Sequence, residues 1–324
     1  AIEAEMAKIV AENQPFVREE KSRAEVWQMM TERGQKYKLE RLADIPDGAH
    51  IAKINGPNSR KSYFAGAFPS ACGKTSTAMI TNENIVGDDI IYIREREGKA
   101  FAANVERGMF GIIDGVNEKD DPLLWKVLHT SNNIIFSNVL ITDDNLPYWC
   151  DSGIQLPERG INFQGEWYKG KLDKSGKPIP ASHKNARFTI MLKELDNLDA
   201  IALEDPKGVE LKAIIYGGRD SDTTVPVEEA FDWQHGILTK GAAIESETTA
   251  AALGKQEARK FNPMSNIEFL SISIGKYIKA NLDFGNKLKK KPKIFSVNYF
   301  LKDENGNFYS EKTDKAVWLK WMEL

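Results

Sequence analysis

The segment Phe68-Pro-Ser-Ala-Cys-Gly-Lys-Thr75 contains the residue types that bind phosphate. Phosphate oxygens need several donors converging on one point. A tight turn of small residues exposes its backbone amides, here those of Ala71, Cys72 and Gly73, and a helix starting behind it adds the positive end of its dipole. In such a turn Lys74 meets the outer phosphates and Thr75 places its hydroxyl on a divalent cation. The usual motif opens with glycine five positions before the second glycine, and Phe68 stands there instead. Gly-Lys-Thr alone fits an exposed surface tripeptide equally well. Gly87-Asp88-Asp89 breaks the tie, because unpaired carboxylates inside an apolar strand are costly to bury. A cation is the natural compensation, and hard oxygen ligands suit magnesium or manganese. The competing reading is an edge-strand turn with solvated aspartates.

The elements that must position these groups are legible around them. Lys61 to Phe68 reads as a strand running into a small-residue loop, and Lys74 to Ile80 as the helix that follows. Asn84 to Ile93 reads as a second apolar strand interrupted by Gly87-Asp-Asp89, with Ile134 to Ile141 and Leu211 to Tyr216 as further buried strands. Gly165 to Ile179, rich in Gly, Lys and Pro, is an exposed excursion. Strands alternating with helices predict an α/β domain with a mixed sheet. The first fifty residues differ: Ser22-Arg-Ala-Glu25 is a capping box, Gly34 a helix stop and Ile45-Pro-Asp-Gly48 a turn, so a small charged helical segment comes first. The division is residues 1–54 and 55–324.

Composition bounds the function. The chain of 324 residues is 41% hydrophobic and 28% charged, ordinary for a globular protein. A net charge of −3 gives no global basic field for nucleic acid. The run Lys287-Leu-Lys-Lys-Lys-Pro-Lys293 reads as a solvated loop. Two cysteines, Cys72 and Cys150, make no disulfide framework, and no apolar run is long enough to span a bilayer, so a cytoplasmic setting without membrane partners is expected. His235, in Trp233-Gln-His-Gly236, reads as structural, and Trp318 and Trp321 as core.

Phe68-Pro-Ser-Ala-Cys-Gly-Lys-Thr75 with Gly87-Asp-Asp89 resembles the phosphate loop and metal aspartates of the GTP-type phosphoenolpyruvate carboxykinases. The resemblance continues in order through Gly108-Met-Phe-Gly111, Asn185-Ala-Arg187, Gly217-Gly-Arg219, Trp233-Gln-His-Gly236, Ser246-Glu-Thr-Thr-Ala-Ala-Ala252 and Lys293-Ile-Phe-Ser-Val-Asn298. It implies a carboxykinase-like P-loop domain that decarboxylates oxaloacetate and transfers a phosphoryl group to give phosphoenolpyruvate, with Mn2+ and Mg2+ as cofactors. By the same resemblance Asp89 is the manganese ligand, and Asp88 its neighbour in the metal and nucleotide region. Lys74 and Thr75 hold donor phosphate and the second cation. Cys72 is a reactive cysteine whose thiolate the helix amides favour. Ser70 and Asn185 contact substrate, and Arg187 and Arg219 neutralise the phosphoryl group. Residues from Ser246 to about Gly254 match a lid over the site.

Two departures qualify this. Aligned over Phe261–Tyr277, the family's three guanine-holding phenylalanines fall at Met264, Leu270 and Ile274. Stacking contributes roughly 1–3 kcal/mol per base, so the balance tilts from GTP towards pyrophosphate, the donor of a branch of relatives. The second departure is the N-terminus. The family carries a preceding domain that completes the manganese site, whereas Ile2-Glu-Ala-Glu-Met6, Phe16-Val-Arg-Glu-Glu20 and Tyr37-Lys-Leu-Glu40 resemble a segment of threonyl-tRNA synthetases. That segment lacks the synthetase's histidine and cysteine motifs and implies no tRNA activity. A second polypeptide would then complete the site; the alternative is a phosphate-binding module without catalysis.

Overall fold

The computed structural model describes residues 49–69, 72–131, 133–247, 261–270, 272–311 and 313–324. The synthetase-like segment, the site positions Ser70 and Ala71, and most of the expected lid lie outside these residues. Strands are numbered along the chain. The first six are β1 (Ala49–Asn55), β2 (Lys61–Ala67), β3 (Asn84–Gly87), β4 (Ile91–Arg96), β5 (Lys99–Asn104) and β6 (Gly108–Ile112). Then come β7 (Ile134–Ser137), β8 (Leu140–Ile141), β9 (Pro147–Tyr148), β10 (Arg159–Asn162) and β11 (Gly165–Tyr168). The last four are β12 (Arg187–Met191), β13 (Val209–Gly218), β14 (Val227–Glu229) and β15 (Lys293–Asn298).

The main sheet runs in the order β14-β15-β13-β2-β1-β3 and is mixed, as expected. The pair β13–β2 and the pair β13–β15 are parallel. β1 is antiparallel to both β2 and β3, so β3 points the same way as β2, β13 and β15. Four strands therefore release their carboxyl ends on one edge of the sheet. Those ends lead into the phosphate loop (after β2), Asp88-Asp89 (after β3), Arg219 (after β13) and Tyr299-Phe300 (after β15). A crevice at the carboxyl edge of parallel strands is where ligands bind in open α/β sheets.

Side chains alternate across a strand, and both faces of this sheet are covered. Ile214 and Tyr216 of β13 pack with Trp233, Ile237 and Phe284 on one face. Ala213 and Ile215 pack with Phe295, Leu319 and Met322 on the other, under the C-terminal helix Asp314–Glu323. Glu323 fastens that helix to the β1–β2 hairpin, taking Arg60 Nε at 2.6 Å, Arg60 Nη2 at 2.8 Å and Ser62 Oγ at 3.0 Å. A second sheet, β6-β12-β7, is antiparallel and covers its own core of Met109, Phe188, Ile190 and Trp149. β8 to β11 form a small third sheet.

Several elements differ from the sequence reading. Ala49–Asn55 is an interior strand of the main sheet, so the sheet recruits residues placed before the boundary at 54/55. Its mixture of Ala, Lys and Asn carries too weak an alternation to be read alone. Ile134–Ile141 is two strands in two different sheets rather than one buried strand, since Asn138 takes φ 60 and turns the chain between them. Asp88 and Asp89 divide β3 from β4 altogether, and β4 pairs with β5. The Gly165–Ile179 excursion is exposed but anchored by buried Trp167. His235 is structural: its backbone amide is capped by Asp232 Oδ1 at 2.8 Å and its ring packs on Phe231. Trp318 packs against the core; Trp321 is half exposed and meets Phe295 edge-on. Among the described residues no helix is long and apolar enough to cross a membrane.

Candidate active site

The phosphate loop begins with Phe68, whose buried ring explains the missing glycine. A Cβ on Gly217 of the neighbouring β13 would lie 1.8 Å from that ring, so the bulk absent at 217 is supplied from 68. On its other side Phe68 packs against His50, ring centroids 5.4 Å apart. Burial, and then the charge of Lys74, hold His50 down to about 3, so this ring is neutral. Cys72 N donates to Pro69 O at 3.2 Å and closes a turn. Gly73 follows at φ 97, the left-handed conformation that glycine adopts without strain, and the helix Lys74–Ala78 starts directly behind it.

Lys74 is the centre of the arrangement. Its Nζ donates to the Asp88 carbonyl and to Asp89 Oδ1, each at 2.5 Å, and lies 3.9 Å from Asp88 Oδ2. Asp88 is fully buried, and burial is the main reason its carboxyl is lifted to about 7; Lys74 opposes the rise, while Asp89 and Glu106 add to it. Its Oδ2 sits 3.5 Å from Thr75 Oγ1, and its buried Oδ1 has no hydrogen-bond partner. The Asp89 side chain is 37% exposed and faces the cavity. Two carboxylates, one with an unpartnered buried oxygen, and a threonine hydroxyl form a set of hard oxygens suited to Mg2+ or Mn2+.

The cavity has a volume of about 640 Å3, and its lining includes Lys74, Asp89, Arg187, Tyr299, Phe300 and Phe308. Arg187 opens β12; its Nε donates to Asn185 Oδ1 at 2.9 Å, and its guanidinium lies 4.8 Å from the Phe110 ring centre. Asn185 does not line the cavity and orients Arg187 instead. Arg219 is held at the end of β13, where its amide donates to Glu245 O at 3.0 Å and its carbonyl accepts from Glu247 N at 2.9 Å. Its guanidinium rests 4.1 Å from the centre of the Phe300 ring. Lys315, also buried at the cavity, contacts Ser76 Oγ and lies 3.7 Å from Asp121 Oδ1.

Two site expectations are corrected. Cys72 is completely buried, its Sγ 3.1 Å from Ser246 Oγ, and burial pushes its thiol up to about 11. It is a neutral thiol; a helix of five residues does not offset the loss of solvation. Met264, Leu270 and Ile274 are not among the residues that line this cavity; Met264 is 44% exposed, and Ile274 starts the helix Ile274–Lys287. Lining the cavity with Phe68 and Phe110 are Tyr299, Phe300 and Phe308, which sequence reading missed. The motif Lys293–Asn298 stopped one residue short of them.

Among the described residues one cluster of three carboxylates, Asp220, Glu245 and Glu247, has atoms within 4.8 Å of one another. Two of the three already hold the chain: Asp220 accepts from the amides of Asp222, Thr223 and Thr224, and Glu247 accepts from Ser221 N and Oγ at 2.7 Å. This group is a loop staple.

Comparison with known proteins agrees with the geometry. The profile of the phosphoenolpyruvate carboxykinase C-terminal P-loop domain matches residues 48–324. A phosphoenolpyruvate carboxykinase [GTP] of Pyrococcus abyssi is 62% identical over 274 residues, 85% of this chain and 44% of the relative. That of Saccharolobus solfataricus is 50% identical over 274 residues, 84% of this chain and 44% of the relative. That of Chlamydia muridarum is 38% identical over 281 residues, covering 83% and 45%. The chain thus spans less than half the length of these relatives.

Proposed function

Because the chain belongs to the GTP-type phosphoenolpyruvate carboxykinase family, we propose that it forms the phosphoryl-transfer half of an enzyme converting oxaloacetate and GTP to phosphoenolpyruvate, carbon dioxide and GDP. The observation that carries the reading is the meeting of Lys74 with Asp88 and Asp89 at the mouth of an aromatic-lined cavity. The loop amides and Lys74 bind the donor phosphates. Arg187 and Arg219, permanently charged and already oriented by Asn185 and Phe300, neutralise the equatorial oxygens of the group in transfer. Asp89, Thr75 and Asp88 would hold Mn2+ or Mg2+; what such a cation supplies when bound is neutralisation of charge on phosphoryl and enolate oxygens. Cys72 contributes as a buried neutral side chain of the loop.

GTP is the donor favoured. The relatives' names carry it, and Phe300 and Phe308 offer ring faces for a base in the cavity that holds Lys74. The case for pyrophosphate rests on Met264, Leu270 and Ile274, which are not among that cavity's lining residues. Turnover is proposed for this chain together with a polypeptide equivalent to the remainder of the relatives, since the match covers 44% of their length. The second reading is a domain that binds phosphate ligands without turnover. Phosphoenolpyruvate formation from oxaloacetate, Mn2+ and GTP, ATP or pyrophosphate, with and without that polypeptide, separates the two. Product in neither arm, with GTP still bound, leaves the binding reading.

A further inference from the structure

Three consecutive residues at the end of β15 and just beyond it each hold a different part of the site. Asn298 Nδ2 donates to Asp220 O and Thr224 O, both at 2.7 Å, and fixes the loop that follows β13. Phe300 carries the Arg219 guanidinium on its face. Tyr299, between them, reaches the phosphate loop by two routes. Its ring lies where a side chain at 73 would project, 2.7 Å from a Cβ built on Gly73. Its hydroxyl is 2.8 Å from Thr77 Oγ1, which in turn donates to Gly73 O at 2.7 Å.

The direction of these bonds is fixed by counting hydrogens. The Thr77 hydroxyl has one, and it goes to the Gly73 carbonyl, so Tyr299 donates to Thr77. Gly73 O also accepts Thr77 N at 2.9 Å. Because the peptide unit is planar and trans, holding the Gly73 carbonyl towards the helix turns the Lys74 N–H the opposite way, out of the helix start. A left-handed glycine can flip its following peptide at little cost; one whose carbonyl takes two donors cannot do so without breaking both. The Tyr299 ring is itself immobilised, stacked on Trp318 with centroids 5.1 Å apart and planes 3° from parallel.

We infer that Tyr299 is a positioning residue of the phosphate loop, acting through Thr77 to lock the Gly73–Lys74 peptide in the orientation that presents the Lys74 amide to the donor phosphates. The inference rests on the reading of this loop as the donor site. Burial keeps the phenol protonated well above its ordinary range, so the relay has its proton at every working pH.

Calorimetric titration of GTP and of inorganic pyrophosphate into the whole chain tests it. Absence of binding by the parent overturns the donor-site reading and this inference with it. Given parental binding that Lys74→Ala abolishes, Tyr299→Phe, which keeps the ring and loses the hydroxyl, weakens both probes by the same factor, about three- to tenfold. Thr77→Val has the same effect, the double variant is no weaker than either single one, and Thr77→Ser restores parental affinity. Parental affinity in Tyr299→Phe or Thr77→Val, multiplied losses in the double variant, or failure of Thr77→Ser to restore binding each overturns the inference with the donor site intact. If Tyr299→Phe does not fold, the Thr77 pair alone decides.

Discussion

Lys74 Nζ bridges the Asp88 carbonyl and the Asp89 carboxylate at 2.5 Å each, so one ammonium joins the end of β3 to the loop after β2. The contact follows from topology. β2 and β3 flank β1 and both run antiparallel to it, which brings their carboxyl ends to the same edge. Lys74 partly compensates the charge of two aspartates, one of them fully buried.

Asp88 makes the stability of the cation-free protein depend on pH. Its carboxyl is raised from 3.8 to about 7, so between those values the folded protein keeps a proton that the unfolded chain has lost. The folded state therefore binds more protons, and stability falls as pH rises through that window. Asp88→Asn removes this dependence. Thermal unfolding in chelator should show the variant gaining on the parent from pH 5 to pH 8, and Mn2+ should restore the parent at the upper end. An unchanged gap across the range would contradict the assignment.

Cys72 resists alkylation. Its side chain is buried and its thiol raised to about 11, so iodoacetamide at pH 8 should label Cys150 first. Labelling of Cys72 should keep accelerating above pH 9. Peptide mapping of partly labelled protein checks this; rapid modification of Cys72 at pH 7 would require a thiolate that its surroundings disfavour.

Phe308 separates the donors. A stacked base gains roughly 1–3 kcal/mol from an aromatic face, so Phe308→Ala should weaken GTP about five- to 150-fold and leave pyrophosphate within about twofold of the parent. Equal losses for both would place the ring on the phosphate side of the cavity. Phe308 is chosen over Phe300 because Phe300 also carries Arg219.

Arg60→Ala tests the clamp on the C-terminal helix. Hydrogen bonding to Arg60 is the main reason the Glu323 carboxyl is held below its ordinary range. That contribution is present above pH 4.5, the ordinary value, and disappears as pH falls through the lower folded value. The variant should melt below the parent at pH 7, with the gap closing towards pH 3. A constant gap would mean that Arg60 acts by packing alone.

What the sequence revealed was local. The phosphate loop, its strand and helix, and the two aspartates were readable because each needs neighbours only a few positions away. Arg187 and Arg219 were recognised by family motif, and the structure adds what orients each one, Asn185 and Phe300. The misplaced features all depended on distant contacts. Met264, Leu270 and Ile274 come from aligning Phe261–Tyr277 with the family, whereas Tyr299, Phe300 and Phe308 reach the cavity from beyond β15, by pairing of β15 with β13. The thiolate at Cys72 was argued from a helix dipole, and burial outweighs it. β1 was missed because its burial comes from lying between β2 and β3, which no stretch of seven residues announces.

The most direct test of the central claim is Mn2+ binding to the chain followed by electron paramagnetic resonance, with and without GTP. If the loop holds the donor phosphates beside the aspartates, GTP should tighten Mn2+ binding about tenfold or more, and both Lys74→Ala and Asp89→Asn should abolish that enhancement. Enhancement that survives in both variants would put the cation and the donor somewhere other than the carboxyl edge of β2 and β3.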